Sequence, residues 1–141
     1  MLLTIDKSLC EIRQKTIVSK DQRSSRKHCA HNPQQKYNVR HYKLDGKLIS
    51  QKTCCDFLLI NDTVKRAYFI ELKGRHIEDA ISQLESGYNL FRSELKGYEI
   101  HLRIVPSKAR THSLRDPEFR KFKAKWGSRL KCKEEFFEED L

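Results

Sequence analysis

The chain has 141 residues, of which 29 are Lys or Arg and 19 Asp or Glu, for a formal net charge of +10. That length suits one domain with a core of its own, and a 38% hydrophobic fraction beside 34% charged residues is polar but foldable. No apolar run reaches the roughly 20 residues of a membrane helix. Met1–Lys7 lacks the basic-then-apolar order of a signal peptide, so the expected location is the cytoplasm, or the nucleus in a eukaryote. Five cysteines, Cys10, Cys29, Cys54, Cys55 and Cys132, are an odd number without an export signal, which predicts free thiols. The basic excess predicts a polyanionic partner, nucleic acid foremost, and no membrane. A solvated basic surface without a ligand is the alternative.

Residues 3–17 read weakly as a helix, from Leu3, Leu9, Ile12 and Ile17 with Asp6 as a cap. About 18–36 reads as a basic, irregular loop. Tyr37–Leu44 is expected to be a strand, Asp45-Gly46 a tight turn, and Lys47–Ser50 a short return. Phe57–Ile60 and Ala67–Lys73 are two further strands joined by the turn-rich Asn61–Arg66. Ile77, Ala80, Ile81, Leu84, Tyr88, Phe91 and Leu95 follow one helical face, with Gly97 at the cap position. Tyr98–Ile104 alternates as a half-buried strand. Asp116-Pro117 starts a last helix carrying Phe119, Phe122 and Trp126 on one face. The last eight residues, 134–141, contain five carboxylates and form an acidic tail that either folds back on a basic surface or stays free. This order predicts a single α/β domain with a parallel strand-helix-strand step.

The chemistry concentrates in the hairpin. Antiparallel pairing brings Asp56, at the start of one strand, to Glu71, near the end of the next. Glu71 and Lys73, two apart, share a face. Taken singly, Asp56 is an ordinary turn residue and Glu71 with Lys73 an ordinary surface pair. Together, two carboxylates and an ammonium at one sheet end after Ala-Tyr-Phe-Ile suit metal binding, since hard oxygen ligands hold Mg²⁺ and such a metal activates water at a phosphate.

Asp56, a fourteen-residue gap and Glu71-Leu72-Lys73 resemble the signature of the PD-(D/E)XK nuclease superfamily. Cys55 stands where the nominal Pro would be. The resemblance covers about residues 40–105. It implies a restriction-endonuclease-like core, a mixed central sheet flanked by helices in the order αβββαβ. It implies Asp56, Glu71 and the Leu72 carbonyl as ligands of Mg²⁺, with Mn²⁺ as a substitute, and Lys73 as the group that orients water. Gln83 in the following helix resembles a Gln that many relatives aim at the site. Tyr88 resembles an aromatic residue about a turn later, although its place on the apolar stripe favours the core. Glu11 is the candidate for a further acidic ligand. The expected activity is metal-dependent phosphodiester hydrolysis, with DNA the leading substrate. Small junction resolvases are similar in size and imply a homodimer, although no residue pattern marks a dimer face.

Arg26, Lys27, Arg40, Lys52, Arg75, Lys108 and Arg110 are the expected phosphate contacts, alongside the basic stretch Arg120–Lys131. His28-Cys29-Ala30-His31 matches no strong zinc spacing. Two other readings remain open: a nucleic-acid-binding protein that keeps the fold without catalysis, and a ribonuclease or toxin nuclease of the same fold.

Overall fold

The computed structural model describes residues 1–72, 76–107 and 116–141. Among them are eight strands and two α-helices: β1 Thr16–Lys20, β2 Lys27–His31, β3 Val39–Lys43, β4 Phe57–Asn61, β5 Arg66–Glu71, α1 Ile77–Phe91, β6 Glu99–Ile104, α2 Pro117–Trp126, β7 Leu130–Cys132 and β8 Phe136–Asp140. The fold is α/β, with two mixed sheets. The larger has the order β3-β4-β5-β6-β7 and the smaller β1-β2-β8. No helix among the described residues is long and apolar enough to cross a membrane.

Strand alternation divides the molecule into two cores. Leu58 and Ile60 of β4, Ala67 and Phe69 of β5, and Ile100, Leu102 and Ile104 of β6 pack with Ile77, Ala80, Ile81, Leu84 and Phe91 of α1 and with Phe119, Phe122 and Trp126 of α2. Their sequence neighbours Phe57, Leu59, Tyr68 and Ile70 face the other way. They pack with Ile17, Ala30 and Phe137 of the small sheet. The large sheet is therefore covered by helices on one side and by the small sheet on the other. β3-β4-β5 is an antiparallel meander, and β6 pairs parallel to β5 after α1, as the pattern predicts. β7 adds a second parallel step after α2. Asp116 caps α2 by accepting from the Glu118 amide at 2.8 Å.

Several expected elements differ. The helix expected over residues 3–17 is a 3-10 turn at Ile5–Lys7, then turns, then β1. Its supposed apolar face does not exist. Leu9 and Ile12 are exposed, while Leu3 and Ile17 are buried in different cores. The region read as a basic loop holds β1 and β2, an antiparallel hairpin from Thr16↔His31 to Lys20↔Lys27. Its polar residues disguised it, because Ser19, His28 and Asn32 are buried with partners. Lys47–Ser50 forms turns that return Leu48 N to Lys43 O and Ile49 N to Leu44 O rather than a strand. α1 ends at Phe91, and turns carry the chain to Gly97 at φ +87°. The acidic tail folds back as β8, parallel to β2.

Polar side chains join the two sheets. Arg103 of β6, 2% exposed, donates from Nε and Nη2 to both oxygens of Glu139 at 2.8 and 3.0 Å. Its Nη1 donates to the carbonyls of Leu102 and Arg129. The rings of Tyr68 and Phe137 lie against the guanidinium, 5.2 and 5.6 Å away. His28 completes the group, its Nε2 2.6 Å from Glu139. Burial by itself would raise the Glu139 carboxyl, but the hydrogen bonds from His28 and Arg103 outweigh it and hold the group down at about 2. Beside it, burial and the neighbouring His28 push His41 down to about 4, where its Nε2 meets Ser19 Oγ at 2.9 Å.

Both shifts are downward, so both groups stabilise the fold above their unfolded values and lose that contribution on acidification. His41 loses it as pH falls from about 6.5 to about 4, and Glu139 as pH falls from about 4.5 to about 2. The Glu139 shift corresponds to roughly 3 kcal/mol. Glu139→Gln should cost about 3–5 kcal/mol at pH 7, because Arg103 is left buried without its partner. The difference from the parent should shrink towards pH 3. Urea unfolding of both proteins across this range checks it, and a pH-independent difference would contradict the assigned coupling.

Candidate active site

The β4–β5 register pairs Phe57 with Ile70. One step further it sets Asp56 opposite Glu71, on the α1 side of the sheet by alternation. Both are buried, Asp56 at 4% and Glu71 at 0% exposure. Asp56 Oδ2 accepts from the Leu72 amide at 2.8 Å, which ties the start of β4 to the end of β5. Asp56 Oδ1 lies 3.5 Å from Lys43 Nζ on β3. The same ammonium sits 5.1 Å from the centre of the Phe57 ring.

Helix α1 bonds Glu71 directly and packs on the segment that precedes Asp56. The Gln83 amide, turned so that its nitrogen faces Glu71, donates to Oε2 at 2.6 Å and Oε1 at 3.3 Å. A carboxylate only accepts, so this is the orientation that satisfies both groups. One turn later, Gly87 lets the helix approach the segment that leads into Asp56. A Cβ at Gly87 would stand 2.7 Å from Cys55 Sγ and 3.3 Å from Cys54 Sγ. Ser86 Oγ donates to Thr53 O at 2.5 Å in the same contact. Nothing in the apolar stripe marks Gly87 as a close approach. The mid-helix glycine itself was the available signal.

Asp56, Lys43 and Leu72 line an open cleft of about 690 Å³. One wall is the turn after β1, with Lys20 and Arg23. The other is the turn after β3, with Lys47. Lys20, Arg23 and Lys47 are exposed. The dimensions suit a ligand site.

The structure distributes the other expected residues unevenly. Lys73, Arg75, Lys108 and Arg110 lie outside the described residues. Glu11 is exposed in a turn, where its amide donates to Gln14 Oε1. No group of three or more His, Cys, Asp or Glu side chains converges on a metal position among the described residues, so Glu11 does not join Asp56 and Glu71. Arg40 is not a free phosphate contact. It makes a two-point bond to Asp62 at 2.7 and 2.9 Å and caps Leu3 O at 2.8 Å. Arg26 is bonded to Asp21 and Ser24 within its own turn. Lys27 covers the Phe136 ring, and Lys52 is exposed. Tyr88 packs edge-on to Trp126, and Phe122 and Trp126 are core residues. His28 and His31 face Glu139 and Glu138. Burial pushes the Cys55 thiol well up, which suits packing rather than metal ligation.

No family model, no curated protein and no solved structure matches the chain.

Gly87→Ala should destabilise the protein by about 1–3 kcal/mol through overpacking against Cys55, less the gain of up to about 1 kcal/mol from helix propensity. Chemical denaturation measures this. An unchanged or higher midpoint would show that the helix can retreat from the Cys54–Cys55 segment without loss.

Proposed function

We propose that the chain is a metal-dependent nuclease with a restriction-endonuclease-like core of the PD-(D/E)XK type, hydrolysing phosphodiester bonds in DNA. One observation carries the reading: two buried carboxylates, Asp56 and Glu71, face each other across adjacent strands, and a helix donor, Gln83, is bonded to the second. Like charges buried side by side are unfavourable unless a cation or hydrogen bonds compensate them. Their joint placement has a reason if they hold a divalent ion.

The donor set fits Mg²⁺ or Mn²⁺. Two carboxylates and the Leu72 carbonyl are hard oxygen donors, which these ions prefer over the thiols of Cys54 and Cys55 nearby. A bound ion would supply an activated water and charge neutralisation at the phosphate. The chain's own groups have separate tasks. Asp56 is fixed by the Leu72 amide, so its second oxygen is directed towards the cleft side, where Lys43 stands. Gln83 fixes the orientation of Glu71. Lys73, two residues after Glu71, is assigned to holding the attacking water. Lys43 adds positive charge beside Asp56, available to a phosphate oxygen. At the start of the chain a 3₁₀ turn and the β1–β2 hairpin stand where the αβββαβ order has its first helix. The meander, α1 and β6 supply the rest.

The test compares the parent with Glu71→Gln on labelled duplex, single-stranded and branched DNA and on RNA, with Mg²⁺, Mn²⁺ or EDTA. The parent should cut DNA only with metal. The variant should lose at least about a hundredfold in rate, the scale of removing one directed charge from a site of this kind. Metal-independent cutting, or full activity in Glu71→Gln, would remove the assignment.

A further inference from the structure

We propose that the β1–β2 turn and the β3–β4 turn form a clamp for the sugar-phosphate backbone of double-stranded nucleic acid, with Lys20, Arg23 and Lys47 on its walls and Lys43 at its floor. The inference rests on the nuclease reading only for which phosphate the clamp delivers to Asp56.

The small sheet lies outside the core order expected from the sequence, yet its first turn faces the cleft that Asp56 lines. The turn is braced. Asp21 N donates to Arg26 O at 3.2 Å and closes the hairpin. Asp21 Oδ1 accepts from the Arg23 amide at 3.0 Å, and Oδ2 accepts from Ser24 Oγ and Arg26 Nη2, each at 3.2 Å. The Asp21 charge is thus matched by Arg26 inside the turn, and Arg23 is held outward on a fixed backbone. Among the described residues, no carboxylate lies in ion-pair range of Lys20, Arg23 or Lys47, whereas Arg26, Arg40 and Arg103 each have one. Three exposed cations on opposite walls, with an ammonium at the floor, outnumber the lining carboxylates Asp21, Asp45 and Asp56 and match a polyanionic strand.

Among the described residues the cleft offers no stacking platform. The ring that lines it there, Phe57, is buried, is stacked on His41 at 5.1 Å and carries the Lys43 ammonium. Proteins that hold single strands present free aromatic faces to unstacked bases. A cleft with cations and no such face reads phosphates, which favours a duplex whose bases stay stacked, bound without sequence preference.

The experiment measures binding in EDTA with all proteins in the Glu71→Gln background, so that no cleavage intrudes. A short labelled duplex is titrated by anisotropy at several salt concentrations. Lys20→Gln/Arg23→Gln/Lys47→Gln should weaken binding roughly tenfold or more and lower the slope of log affinity on log salt by about 2 to 3, near 0.9 per lost phosphate contact. A control triple away from the cleft, Lys65→Gln/Arg92→Gln/Lys96→Gln, all exposed, should bind nearly as the parent does. Thermal melts confirm that each variant folds. The clamp is overturned by absent duplex binding in the parent, by equal binding in the cleft triple, by an equal loss in the control triple, or by a single strand outcompeting the duplex. If the wild type cuts nothing with metal while the cleft triple alone loses duplex binding, the nuclease reading fails and the clamp stands.

Discussion

The structure hangs on a buried cation. Arg103 sits on β6, beside the central strand of the large sheet, faces the small sheet, and is almost without solvent contact. Four donors of its guanidinium are matched by Glu139 and two carbonyls, and two rings cover it. A charge in this position is tolerated only with its full set of partners. Satisfying it therefore requires β8, which carries Glu139 and Phe137, to lie against β6. Placing β8 in turn fixes β2 by parallel pairing, and β2 fixes β1. The turn with Lys20 and Arg23 is thus held at the cleft by a contact on the far side of the small sheet.

On the other face, α1 performs the corresponding task. Its residues 83 and 87, one turn apart, bear on the two acidic positions in different ways. Gln83 bonds Glu71 directly. Gly87 acts by lacking a side chain, which lets Cys54 and Cys55 pack against the helix and so sets where β4 begins. A site assembled from strand ends needs such a brace, because the last pair of a ladder has no further pair to hold it.

The meander, α1, β6 and α2 were legible in the sequence because their apolar spacing is strong and local. Phe57–Ile60 and Ala67–Ile70 are buried on both faces, and the α1 stripe keeps its period throughout. Asp56, Glu71 and Gln83 were legible for the same reason, since register and period place them once the elements are known. The small sheet was not. β1 and β2 are short, and their buried positions include Ser19 and His28, whose partners His41 and Glu139 are far away in the chain. β8 reads as an acidic tail because its inward carboxylate is neutralised by Arg103, a pairing that no local pattern reveals. Arg40 misled in the opposite sense. It looks like a basic contact, but Asp62, Leu3 and Tyr42 engage it.

The pairing of β2 with β8 also has a kinetic side. His28 and Glu139 are 111 residues apart, while Asp56 and Leu72 are 16 apart. Closing a longer loop costs more chain entropy, and parallel pairing over such a span adds to the contact order that slows folding. The acidic pair belongs to the fast, local part of the topology, and the basic hairpin beside it belongs to the slow, distant part. Transient opening should follow the same division, with the small sheet detaching from an intact meander. The basic turn of the small sheet and the acidic pair of the meander then belong to separate cooperative units within one chain.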